Sequence, residues 1–106
     1  MLIKLGVWGF GRLHRGLRRK LQVIENIFGR NGAGEPVISS IGEGSHNLNS
    51  LHYTDPIQAI DFRKPKLIAI QFIELVADLK ESLGHDFDVV TSGPCIHIEY
   101  DPKGEI

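Results

Sequence analysis

The stretch DFDVVTSGPCIHIEY, residues 86–100, decides how this chain is read. Two runs rich in β-branched and aromatic residues flank TSGP, a turn signal, so the segment reads as a β-hairpin. Side chains alternate across a strand, so Cys95, His97 and Glu99 share one face and Ile96 and Ile98 the other. A strand with an apolar and a polar face belongs at the surface of an antiparallel sheet that covers a core on one side.

Working upstream, Ile68, Phe72, Leu75, Val76, Leu79 and Leu83 recur at helical spacing. They predict a helix over residues 65–83, with Pro65 in its first turn and Gly84 at its end. IQAIDFR, residues 57–63, alternates as a strand and sets Asp61 on the face opposite Ile60. EGSHNLNSLHYTDP, residues 43–56, is polar and rich in turn formers, as an exposed loop would be. PVISSIG, residues 36–42, reads as a buried strand. Leu13, Leu17, Leu21, Ile24 and Phe28 predict a first helix, ended by Gly29 and the GRNGAGEP loop. Residues 1–11 carry three glycines and suit a short strand or an irregular arm. The expected fold is α+β: an antiparallel sheet with helices packed on one side.

The bulk numbers narrow the functional class. A length of 106 residues suits one domain, here an N-terminal arm and helix (1–35) followed by a core (36–101). The net charge of −1 gives no global field toward nucleic acid. No apolar run reaches a membrane span, and the N-terminus is a poor secretion signal. The expectation is a cytoplasmic chain that would act at a cell wall only if released. The single cysteine, Cys95, excludes an internal disulfide and leaves a free, metal-bound or intermolecularly paired thiol.

Two motifs compete for the function. IKLGVWGFGRL, residues 3–13, has the look of a dinucleotide-binding strand and glycine turn, in which glycines let the backbone approach a pyrophosphate. His14 stands where the third small residue belongs, and the acid at the end of the second strand, Glu43, comes about ten residues later than the usual ~20. The more informative set is His52, Asp61 and His97. Zinc takes imidazole nitrogen and carboxylate oxygen, and catalytic sites use three protein ligands. His52 at a loop-to-strand junction and Asp61 and His97 on strands could converge if those strands are neighbours. His14 and His85 read as structural or exposed.

ISSIGEGSHNLNSLHYTDPIQAIDFR followed by DFDVVTSGPCIHIEYDP resembles the zinc D-alanyl-D-alanine carboxypeptidase-like family, in particular its small phage and prophage cell-wall peptidases. That family shares its zinc site with the hedgehog signalling domain. The resemblance implies the hedgehog/DD-peptidase fold and Zn²⁺ held by His52, Asp61 and His97. It also implies hydrolysis of a peptide bond in peptidoglycan stem peptides. His46 matches a nearby histidine of some members, and Glu99, two residues beyond His97 on its face, is the acid in reach of the site. These two are the candidate catalytic residues.

The chain departs from the family's pattern at two places. Eight residues separate His52 from Asp61 instead of roughly six, and an even insertion keeps Asp61 on the same strand face. Ser92 stands where the family has its general-base glutamate, and Cys95 replaces the first histidine of the distal pair. A general base is worth roughly 10²–10⁴ in rate. The alternative is therefore a catalytically impaired relative that keeps the metal site.

Overall fold

The computed structural model describes residues 1–7, 9–41 and 57–102. The strands are β1 (Leu2–Ile3), β2 (Val37–Ser40), β3 (Ala59–Arg63), β4 (Phe87–Ser92) and β5 (Cys95–Tyr100), and the helices are α1 (Arg15–Arg18), α2 (Leu21–Arg30) and α3 (Ala69–Leu83). The five strands form one sheet in the order β1-β2-β3-β5-β4. β1 runs parallel to β2 and every other pairing is antiparallel. This is the α+β architecture the alternation predicts. No helix among the described residues is long and apolar enough to cross a membrane.

The β4–β5 hairpin closes through Gly93 and Pro94. Gly93 adopts φ 53°, and the proline ring fixes the next φ near −65°. Those signs belong to a type II′ turn, whose twist matches that of the strands. The expected hairpin is therefore present, with Thr91 and Ser92 inside β4 rather than in the turn.

Alternation sorts the sheet into two faces. Ile60 and Phe62 of β3 lie opposite Ile98 and Ile96 of β5, and all four are fully buried. The buried side chains of the helices join the same cluster: Leu17 of α1, Ile24, Ile27 and Phe28 of α2, and Leu75, Leu79 and Leu83 of α3. The Phe28 and Phe62 rings sit 5.9 Å apart and tie α2 to the centre of the sheet. Arg30 and Asp78 pair between α2 and α3, and Asn31 and Ser82 also bond the Asp78 carboxylate. These bonds hold the Asp78 pKa far below the usual carboxylate range, Arg30 contributing most.

Both helices depart from the periodic prediction at their ends. The first is broken in two. Leu13 is extended and its segment bridges Ile57, so helix starts only at Arg15, where the His14 Nδ1 accepts the Gly16 N–H. Gly29 does not end α2; the helix runs to Arg30, and Asn31 caps it by donating to the Ile27 carbonyl. The second helix starts at Ala69 rather than Pro65. The Lys64 N–H bonds the Pro94 carbonyl, which keeps the chain extended past β3, and Ile68 stays exposed outside the stripe. Hydrophobic spacing reports which face is buried. It does not report where the backbone hydrogen bonds begin.

Gly16 of α1 packs flat against Tyr100, and a Cβ there would lie 2.7 Å from the ring. The ring cannot swing aside, because it is held between His14 at 4.7 Å and Phe87 at 5.2 Å. Gly16→Ala is expected to destabilise the fold by about 1–3 kcal/mol through overpacking. Urea unfolding of the two proteins checks this, with a lowered midpoint expected at unchanged slope.

Candidate metal centre

The polar face of the sheet carries the chemistry. β3 and β5 pair so that Asp61 lies opposite His97 and Arg63 opposite Cys95. The β4–β5 hairpin sets Asp88 opposite Glu99 and Val90 opposite His97. The register of β2 shifts between Ile38 and Ser40. Such a bulge re-aims side chains, and here the Ser39 hydroxyl reaches the Asp61 carbonyl at 3.3 Å.

His97 is the centre of the site. Its Nδ1 lies 2.6 Å from Asp61 Oδ1 and its Nε2 2.6 Å from Glu99 Oε1. The three side chains are largely shielded, at 15% exposure for Asp61, 19% for His97 and 26% for Glu99. An imidazolium has two N–H donors, one for each carboxylate. The Asp61 bond is the main reason the His97 pKa lies above its ordinary value; burial opposes the shift and the Glu99 bond reinforces it.

Of the residues named from sequence, the structure brings Asp61, His97 and Glu99 together. His46, His52 and Glu43 lie outside the described residues. Glu99 contacts the Nε2 edge of the ring, away from Asp61. Cys95 is directed to β2, its Sγ 3.7 Å from Ser39 Oγ. Ser92 is exposed at the end of the hairpin, opposite Cys95. His14 is a helix cap, as expected of a structural histidine, and His85 is 83% exposed. The glycine turn of the arm opens a three-residue 3₁₀ turn and then, past the extended Leu13, the four-residue α1.

Sequence reasoning passed over Asp88 and Asp101. Their carboxylates and that of Glu99 all lie within 4.8 Å of one another. The hairpin carried the signal. A two-residue turn at Gly93-Pro94 pairs residue 92 with 95, and counting outward pairs 88 with 99. This acidic group borders the His97 site through their shared Glu99.

Comparison with known proteins matched this chain to no protein-family model, no curated protein and no solved structure.

In the metal-free protein, His97 is expected to titrate above the ordinary imidazole value of 6.5, and Asp61→Asn should bring it down toward that value. The sign for stability follows from linkage. A raised histidine pKa stabilises the fold fully below the unfolded value of 6.5, and the contribution is lost as pH rises through the folded value. Wild type should therefore exceed Asp61→Asn in stability most clearly on the acid side of 6.5, with the gap closing at higher pH. NMR titration of the ring and chemical denaturation across pH measure the two effects.

Proposed function

We propose that this chain is a zinc-binding domain of the D-alanyl-D-alanine carboxypeptidase-like class, with the hedgehog/DD-peptidase fold. His52, Asp61 and His97 hold the metal, and the substrate is a peptide bond of the peptidoglycan stem. The observation that carries this reading is the pairing of Asp61 with His97. Residues 36 positions apart in sequence present a carboxylate oxygen and an imidazole nitrogen 2.6 Å from each other on neighbouring strands.

The donor types suit the ion, and binding would part Asp61 and His97 from their direct 2.6 Å contact to the ~3.3 Å that separates two ligands of one tetrahedral zinc. Carboxylate oxygen and imidazole nitrogen are zinc ligands, and three protein ligands with an open fourth position mark a catalytic centre. A ligand histidine ordinarily donates its second N–H to a carboxylate, which fixes tautomer and ring orientation. Glu99 stands at His97 Nε2 in that role and leaves Nδ1 facing Asp61. When bound, zinc supplies Lewis acidity, polarising a carbonyl and lowering the pKa of water. The chain's own residues position that chemistry. Asp61 contributes negative charge, β3 and β5 hold it against His97, and Glu99 locks the ring.

A second reading, the catalytically impaired relative, is favoured by what Glu99 does. Its carboxylate is engaged with Nε2, and Ser92 offers no basic group in the position of the missing glutamate. In this reading the domain binds metal and stem peptide without turnover at a useful rate. His46 is the remaining candidate for proton transfer.

Metal analysis of protein purified without chelator is expected to give about one zinc per chain, with His97→Ala and His52→Ala each abolishing it. Release of D-alanine from a stem peptide then separates the two readings. Turnover by the zinc-loaded wild type supports the peptidase. No turnover, with activity gained in Ser92→Glu by roughly 10²-fold or more, supports the impaired relative. A wild type that takes up no zinc overturns both.

A further inference from the structure

The charge of this chain is unevenly distributed. Seven of its twelve Lys and Arg residues fall within residues 1–30, against one acid, Glu25, of the thirteen. A near-neutral total thus conceals a cationic N-terminal segment and an acidic remainder. Glu25 is paired with the Met1 amine and Arg30 with Asp78. Lys4, Arg15, Arg18 and Arg19 make no ion pair among the described residues. Arg18 donates instead to the Phe10 and Gly11 carbonyls, the latter at 3.0 Å, which joins the arginines of α1 to the arm before it.

The same segment exposes apolar side chains. Leu5 is 95% exposed, Leu2 54%, Ile3 48% and Phe10 39%. Their presentation is built into the backbone. The Val7 N–H bonds the Lys4 carbonyl with Gly6 at φ 89°, so Leu5 stands at the tip of a turn. Gly9, at φ 96°, leads into the 3₁₀ turn that starts at Phe10. Glycine tolerates such positive φ without strain.

A polyanion alone would satisfy the arginines and leave Leu5 and Phe10 in water. An apolar partner would do the reverse. An anionic lipid surface takes both, because headgroup phosphates attract the cations while apolar side chains enter the acyl boundary. We propose that Leu5 and Phe10, together with Arg15 and Arg19 of the adjoining α1 segment, form a docking surface for an anionic phospholipid bilayer, bound peripherally. The surface operates independently of the metal centre.

Co-sedimentation with vesicles tests this, comparing phosphatidylcholine alone with an equal mixture of phosphatidylcholine and phosphatidylglycerol. The wild type should bind the mixed vesicles, ignore the neutral ones, and release as salt screens the charges. Each cation at an anionic surface strengthens partition about fivefold, so Arg15→Glu with Arg19→Glu should weaken binding by at least tenfold. Leu5→Ser with Phe10→Ser should weaken vesicle binding to a similar extent while leaving retention on heparin resin unchanged. All four positions are exposed, and circular dichroism confirms that the variants fold. Wild type that fails to bind the phosphatidylglycerol vesicles overturns the proposal. So does a Leu5→Ser, Phe10→Ser protein that binds them as tightly as wild type, since the surface would then be a polyanion site only.

Discussion

The pairing of β3 with β5 in a single register is the constraint on which the remaining structure depends. It sets Ile60 against Ile98 and Phe62 against Ile96 on one face, and Asp61 against His97 on the other. A slip of one residue would carry Asp61 into the core and Phe62 into the site. Burying a carboxylate unpaired costs several kcal/mol, so core and site enforce the same register from opposite faces. The sheet is a partition whose two sides are specified together.

The polar face places three ionisable groups side by side with limited access to water. Such an arrangement is stable only when charges are matched and hydrogen bonds complete. His97 meets that condition by facing a carboxylate at each ring nitrogen. A divalent cation between Asp61 and His97 would satisfy the same electrostatic demand. The raised His97 pKa comes first from the Asp61 hydrogen bond, with Glu99 reinforcing it, and the proposed metal affinity would draw on the same Asp61 carboxylate. A proton and the proposed metal would compete for Nδ1.

Helices α2 and α3 support this partition from the apolar side. Phe28 meets Phe62 behind Asp61, and the Arg30–Asp78 pair fixes the two helices to each other at the surface. The N-terminal arm adds the outermost strand, β1, whose two side chains point into solvent. Its pairing with β2 anchors the arm, and the two glycine turns beyond it set the directions of Leu5 and Phe10.

By itself the sequence determined the α+β class, the hairpin at residues 86–100, the two faces of β3 and β5, and the helix stripe Leu75, Leu79 and Leu83. Each depends on local periodicity or turn chemistry, which any short window contains. It determined less well where helices begin and end. Arg12, His14 and Lys64 have backbone groups engaged by distant segments, and no local pattern records that. Only the tertiary structure decided that Asp61 faces His97, that Glu99 takes the far nitrogen of the ring, and that Cys95 turns to Ser39. The first and third are relations between strands far apart in sequence, set by the register that buries the most apolar surface without stranding a charge, and the second depends on the first, because Asp61 occupies the other ring nitrogen.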